Sequence, residues 1–217
     1  MKAYVITIQN HNLSNQAAER CISSGKRFGI QIEKWKATVP QDMPISLLIE
    51  KGIKISGLHE AYSRINNCAA AFHSHHTLWE HCNNIKESII IFEHDAVIKN
   101  QIPSINFDKC ISIGKPSYGN YQIPEILGVN KLTSKNYFPG AHAYILNPIG
   151  ARLLMQEAQR HARPTDVFLN TNSFPWLQEY YPWPVEAVDS FTTIQNLQGC
   201  YAKHNFDGMT YRVENIR

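Results

Sequence analysis

Ser88-Ile-Ile-Ile-Phe-Glu-His-Asp-Ala-Val97 is the stretch whose reading decides the fold. Ser88–Phe92 is continuously apolar after its first residue and shows no alternation. That pattern belongs to a strand covered on both faces, as in a parallel sheet between helix layers. Glu93 and Asp95 close the strand. In open α/β sheets, ligands sit just beyond the carboxyl ends of strands. Positions i and i+2 of an extended segment point the same way, so Glu93 and Asp95 are expected to face one site and His94 to face away. Two hard oxygen ligands suit Mg²⁺ or Mn²⁺, with a diphosphate completing the shell. A solvated turn after a strand has the same acid-x-acid spacing, and spacing alone leaves both readings open.

Upstream, Ala3–Ile8 reads as a buried first strand and Ser14 as the cap of a helix to about Cys21. Gly25 and Gly29 bracket the return to a strand over Ile30–Trp35, which completes a βαβ unit. Residues 40–58 are expected to hold a short helix and a loop. From Asn66 to Asn84, Ala69, Phe72, His76 and Trp79 form one apolar stripe, and Ala71, His75, Leu78, Cys82 and Ile85 its neighbour. Such a wide apolar face predicts a helix packed on the sheet. Downstream, residues 99–140 predict loops and short strands, including Cys110–Ile113, and Ala141–Leu146 another strand. Asn147-Pro148 is a helix start, with a cap followed by proline at the first helical position. The text after Arg163-Pro164 is aromatic and proline-rich. Its 174–183 cluster is either a sugar-stacking platform or a core or proline-braced surface element, with the latter favoured. No repeat or linker divides the 217 residues, so a single α/β domain is expected.

Composition excludes several classes. The net charge is +3 with Lys and Arg scattered, so there is no basic run of the kind that binds nucleic acid. Cys21, Cys68, Cys82, Cys110 and Cys200 make an odd count without a CxxC pair, which predicts free thiols. The N-terminus lacks a signal-peptide pattern, no stretch approaches the ~20 apolar residues of a membrane span, and the Asn12-Leu13-Ser14 sequon carries no weight. A cytoplasmic location is expected, with peripheral contact to a membrane's inner face left open. His73, His75, His76 and His81 crowd one helix, but no pair is four apart, which speaks against zinc. His75, in an apolar stripe, reads as a core histidine. No GxSxG, Walker A or GxGxxG string occurs.

Taken in order, three strings resemble glycosyltransferase family 25, the lipooligosaccharide and collagen galactosyltransferase group. Tyr4-Val-Ile-Thr-Ile8 is similar to that family's "YVINL" strand. Ser74-His-His-Thr-Leu-Trp79 resembles its "SHLSLW", followed by Ile89–Val97 for "LILEDDV". Pro139–Leu154 resembles "GTxGYLISRKGAKKLL", and Pro164-Thr-Asp166 stands where the family has "PVD". The likeness runs from residue 3 to about 168. Three features depart from it: no basic pair follows the first strand, Ala70-Ala71 replaces Gly-Cys, and His94 replaces the central acid.

The resemblance implies a GT-A-like domain with a mostly parallel sheet flanked by helices. The irregular C-terminal third lies beyond the likeness, and residues 169–217 are expected to be an acceptor-side segment or a C-terminal extension. It implies a hexosyltransferase moving galactose or glucose from a nucleotide-sugar, usually a UDP-sugar, to a hydroxyl with inversion and Mn²⁺ or Mg²⁺. The acceptor stays open among a glycan, a lipid-linked glycan as in lipopolysaccharide biosynthesis, a protein and a modified nucleobase. Expected donor-side residues are Ile8, His75, Glu93 and Gly140, with Asp95 and Glu93 on the metal. Asp166 is the expected general base, with a helix-capping role as its alternative and Asp189 next in line. Two rival readings are a non-catalytic sugar- or partner-binding domain on the same fold and a metal-dependent phosphoester hydrolase.

Overall fold

A computed structural model describes residues 1–60, 63–188, 191–195 and 212–216. Cys200 and Asp189 lie outside the described residues. The main sheet has seven strands: β1 (Lys2–Thr7), β2 (Ile32–Lys36), β3 (Ile89–Glu93), β5 (Cys110–Ser112), β6 (Gly128–Lys131), β7 (Ala143–Leu146) and β8 (Gln178–Tyr181). Their order is β2-β1-β3-β7-β5-β8-β6. β2, β1 and β3 are parallel neighbours, β7 runs against β3 and β5, β8 is parallel to β5, and β6 is antiparallel to β8. Five strands thus share one direction, and β7 and β6 oppose it.

The pleat sorts the core into two layers. Tyr4, Ile6, Ile89, Ile91 and Tyr144 face α2 (Pro44–Glu50), α3 (Ile65–Ile85) and α4 (Pro148–Arg160). Ala3, Val5, Ile90, Phe92 and Ala143 face α1 (Asn12–Lys26). The same face carries Ala96 and Ile98 of β4 (Ala96–Ile98) and Val185 of β9 (Val185–Ala187), which pair antiparallel. Both faces of β3 are covered, which is what its unbroken apolar run requires. A short helix α5 (Thr165–Phe168) follows α4, and β10 (Phe191–Thr192) pairs with β11 (Arg212–Val213). No helix among the described residues is long and apolar enough to cross a membrane.

Several boundaries shift for local reasons. α1 begins before Ser14 because His11 is its cap, with Nδ1 accepting the Ser14 N–H at 3.2 Å. The helix also runs on to Lys26. Gly25 lies inside it, where a Cβ would meet the Ile32 side chain at 2.5 Å. β7 starts at Ala143 rather than Ala141, because Gly140 and Ala141 turn through φ +88° and +48°. At α4 the expected cap is present: Asn147 Oδ1 accepts the Gly150 N–H at 2.9 Å, with Pro148 at the first turn. In the aromatic stretch, Phe174 is buried against Phe168, with Trp176 packed beside it, so this part of 174–183 is core.

Candidate functional site

β1 sends the chain to β2 on one side, while β3 lies on its other side. The crevice beyond the carboxyl ends of β1 and β3 is therefore a topological switch point, where α/β sheets bind ligands. A cavity of about 60 Å³ lies there. Ile6 and Ile8, Ala37 and Thr38, and Glu93 and His94 reach it from the three strand ends, and Asn67, Ala70, Ser74 and His75 from α3. Thr193, Ile194 and Ile216 form its outer wall. A second cavity of about 510 Å³ adjoins through Ile8, Ala37 and Ile216 and extends over Gln9–His11, Lys36 and Asp42. Its size lies in the range of small-molecule sites.

The walls are fixed by side-chain hydrogen bonds. Thr38 N–H donates to Ser74 Oγ at 2.9 Å and Ala37 N–H to Thr7 O at 2.9 Å, so the chain after β2 is tied to both α3 and β1. Ser14 Oγ accepts the Ile8 N–H at 3.0 Å and lies 3.1 Å from His94 Nδ1. Arg64 donates to the carbonyls of Thr193 and Glu214, both at 2.7 Å, and thereby holds the outer wall.

At the inner end, four groups from separate elements form one chain. Trp79 Nε1–H donates to the Tyr144 hydroxyl at 2.9 Å. That hydroxyl lies 2.9 Å from His75 Nδ1, and His75 Nε2 lies 3.0 Å from Glu93 Oε1. Burial pushes the His75 imidazole down to about 3, with the Asp166 charge opposing. Glu93 is pushed up to about 8, first by burial and then by the Asp166 charge. The Asp166 carboxyl is also raised by burial, but the Tyr118 hydroxyl and the backbone N–H groups of Val167 and Gly140 hold it down. Tyr118 donates to Asp166 Oδ2, and Val167 N–H to Oδ1 at 2.9 Å. Those donors favour the charged form of Asp166, while burial and the nearby Asp166 carboxylate favour the protonated form of Glu93.

Ile8 lines both cavities, and His75 and Glu93 line the first. Gly140 lines neither cavity, and its backbone N–H contributes to holding the Asp166 carboxyl down. A Cβ there would meet Ser117 Oγ at 2.3 Å. Asp166 sits in the first turn of α5, whose cap residue is Pro164, and lines neither cavity. The expected common facing of Glu93 and Asp95 rests on an extended backbone, and the chain instead turns at His94-Asp95. Glu93 points to His75, whereas the Asp95 charge is felt by Cys21 on α1 and its carbonyl accepts the Val188 N–H. His94, expected to face away, lines the cavity and stacks on Phe191 with ring centroids 5.4 Å apart. As placed, the two carboxylates do not fit a shared metal site. Among the described residues, no group of three or more His, Cys, Asp or Glu is gathered around a metal-sized position.

The helix histidines separate in the same way. His73 Nδ1 lies 2.8 Å from Thr38 Oγ1, His81 Nε2 lies 2.8 Å from the Tyr4 hydroxyl, and His76 faces Glu80. The sequence reading missed Tyr118 and Tyr144. Each is one tyrosine among ten, and only the fold brings them to Asp166 and His75.

No protein-family model matches the chain, and no curated protein matches it in sequence. The family resemblance rests on the quoted strings alone. Among solved structures, the chain is similar to a mutant Drosophila beta-1,4-galactosyltransferase 7 in complex with manganese, UDP-Gal and xylobiose. The identity is 9% and the TM-score 0.45, covering 100% of this chain and 82% of that one. It is also similar to the CTP:phosphocholine cytidylyltransferase of Streptococcus pneumoniae, at 10% identity and a TM-score of 0.39, covering 86% and 92%. Both likenesses are remote, and neither carries a substrate or a metal over to this chain.

Proposed function

We propose that this chain is a glycosyltransferase that binds a nucleotide-sugar, a UDP-hexose by family resemblance, in the two adjoining cavities. The hexose, galactose or glucose, passes to an acceptor hydroxyl with inversion. The observation that carries this reading is the pair of cavities spanning the ends of β1, β2 and β3, with Glu93 on the inner wall. The part lined by Ile6, Ile8 and Ala70 suits a flat base, and the larger part over Gln9–His11 and Lys36 suits polar groups. A Glu93 that keeps its proton donates a hydrogen bond to an anionic donor instead of repelling it. Asp166, ionised and fixed by Tyr118, takes the proton of the attacking hydroxyl as the oxygen bonds to the anomeric carbon and the bond to phosphate breaks. Because Glu93 and Asp95 do not fit a shared metal site, no step here runs through a metal.

Thermal shift against a panel of nucleotide-sugars, with and without Mn²⁺ or Mg²⁺, is the direct test, because a bound donor raises Tm according to its affinity. A UDP-hexose should stabilise the chain and be slowly hydrolysed without acceptor. Stabilisation without turnover would favour the non-catalytic binding domain. The absence of any shift across the panel would remove the donor site.

A further inference from the structure

Eight large hydrophobic side chains are exposed among the described residues, and four of them fall within seven positions: Ile123, Ile126, Leu127 and Val129. Ile123, Ile126 and Leu127 are 63%, 67% and 73% exposed. Scattered exposed apolar residues are ordinary, but a cluster marks an interaction surface. This one is built. Asn130 Nδ2 donates to the carbonyls of Ile126 and Gly128 at 2.8 and 3.0 Å, which closes the bend beneath Ile126-Leu127. Gln122 N–H donates to Ser134 O at 3.0 Å, and Pro124 is buried, so both limbs are anchored. Leu127 immediately precedes β6, the edge strand of the sheet.

We propose that this tip docks the protein on an anionic phospholipid bilayer. Residues 114–137 carry Lys115, Lys131 and Lys135 against a single acid, Glu125. Lys115 is paired with Glu186 and Lys135 lies over the Tyr118 and Tyr137 rings, while Lys131 on β6 is exposed. Half-buried Tyr121, Tyr181 and Trp183 pack on one another along the same edge, and Tyr181 is the register partner of Gly128. Aliphatic side chains at the tip, with tyrosine, tryptophan and lysine around it, match the layering of a membrane interface. A second copy of the chain fits less well. The apolar residues form a narrow bend rather than a flat face, and a lysine on a four-residue edge strand opposes strand pairing. Membrane docking stands apart from the transferase reading, since its test requires no donor.

The experiment is co-sedimentation of the full chain with vesicles of phosphatidylcholine alone, and of phosphatidylcholine mixed with phosphatidylglycerol. The expected result is pelleting with the mixed vesicles, little with the neutral ones, and weakening by salt. Replacing both Ile126 and Leu127 by Ser should reduce the bound fraction roughly tenfold or more at unchanged Tm, as loss of two inserted aliphatic side chains demands. Should the double variant melt early, Lys131→Glu across a salt series gives the independent reading, with reduced binding at low salt. A wild-type chain that stays in the supernatant would overturn the proposal. So would a folded double variant that binds as well as wild type, or light scattering that shows a dimer broken by the double substitution.

Discussion

His75 joins Glu93 to Tyr144: its Nε2 lies 3.0 Å from Glu93 Oε1 and its Nδ1 lies 2.9 Å from the Tyr144 hydroxyl. Because Trp79 N–H already donates to that hydroxyl, the tyrosine's own proton goes to Nδ1, and Nε2–H donates to Glu93. Tyr144→Phe would leave a buried indole N–H and an imidazole nitrogen without partners. It should cost about 1–3 kcal/mol. Urea unfolding of the two proteins side by side measures this, and equal midpoints would refute the chain of bonds.

Glu93 gives a pH-dependent signature. Its folded pKa of about 8 stands above the ordinary value of 4.5, so the folded state holds a proton that the unfolded state has released. Stability from this group is therefore intact below about pH 4.5 and falls as pH rises towards 8. Glu93→Gln mimics the protonated acid and can still accept from His75. The variant should match wild type near pH 5 and exceed it at pH 9, each kcal/mol being worth about 2–4 °C of Tm in a chain this size. Parallel Tm-against-pH curves for the two proteins would show that Glu93 is ionised in the folded state.

The buried histidines act in the opposite direction. His75 is pushed down to about 3, and His76, His94 and His142 to about 4, in each case chiefly by burial. Unfolding frees them to protonate below about 6.5. The folded state should thus lose stability as pH falls from 6.5 towards 4: near pH 5.5 these four rings take up on the order of three to four protons on unfolding, less about one that Glu93 releases. Denaturant midpoints across that interval give the slope. A flat profile would mean that these rings are already charged in the fold.

Much of the framework was legible because burial writes itself into periodicity. The two stripes of α3 and the unbroken run of β3 place Trp79, Phe72 and Ile91 in the core. Asn147-Pro148 marks the start of α4 because a cap and a first-turn proline are local chemistry. The site was less legible. Pairing Glu93 with Asp95 assumed an extended chain, and a two-residue turn at His94-Asp95 broke the i, i+2 rule. His94 was expected to face away and instead lines the cavity beside Glu93. The contacts of Tyr118 and Tyr144 span 48 and 69 positions, which no local pattern encodes.

That turn also separates the roles of the two acids. Glu93→Ala should weaken nucleotide-sugar binding by roughly tenfold, about 1.4 kcal/mol, by removing a donor from the cavity wall. Asp95→Asn should leave binding within about threefold, since Asp95 lines neither cavity and its charge acts at α1. Donor titrations with and without Mn²⁺ decide the matter. An Asp95→Asn protein that loses its Mn²⁺ response would restore the metal role.

Asp166 supplies the sharpest kinetic test. Burial raises its carboxyl, and four donors hold it down: the Tyr118 hydroxyl and the backbone N–H groups of Val167, Asp166 itself and Gly140. Asp166→Asn keeps an oxygen for Val167 and removes a charge that burial disfavours, so Tm should hold or rise. Removing the charge also relieves Glu93, whose penalty at alkaline pH should shrink in the variant. If Asp166 is the base, turnover should fall about 10²–10⁴-fold with donor affinity intact. Tyr118→Phe should act differently. Loss of the hydroxyl leaves the base in place but raises its pKa further, because a hydrogen bond to the charged form is gone. The acid limb of the pH–rate profile should then move to higher pH while the plateau rate stays near wild type. A structural role would lower Tm in both variants and leave the limb where it was. Sugar transfer by Asp166→Asn at close to the wild-type rate would leave Asp166 as a fixture of α5, and Asp189 would become the next base to test.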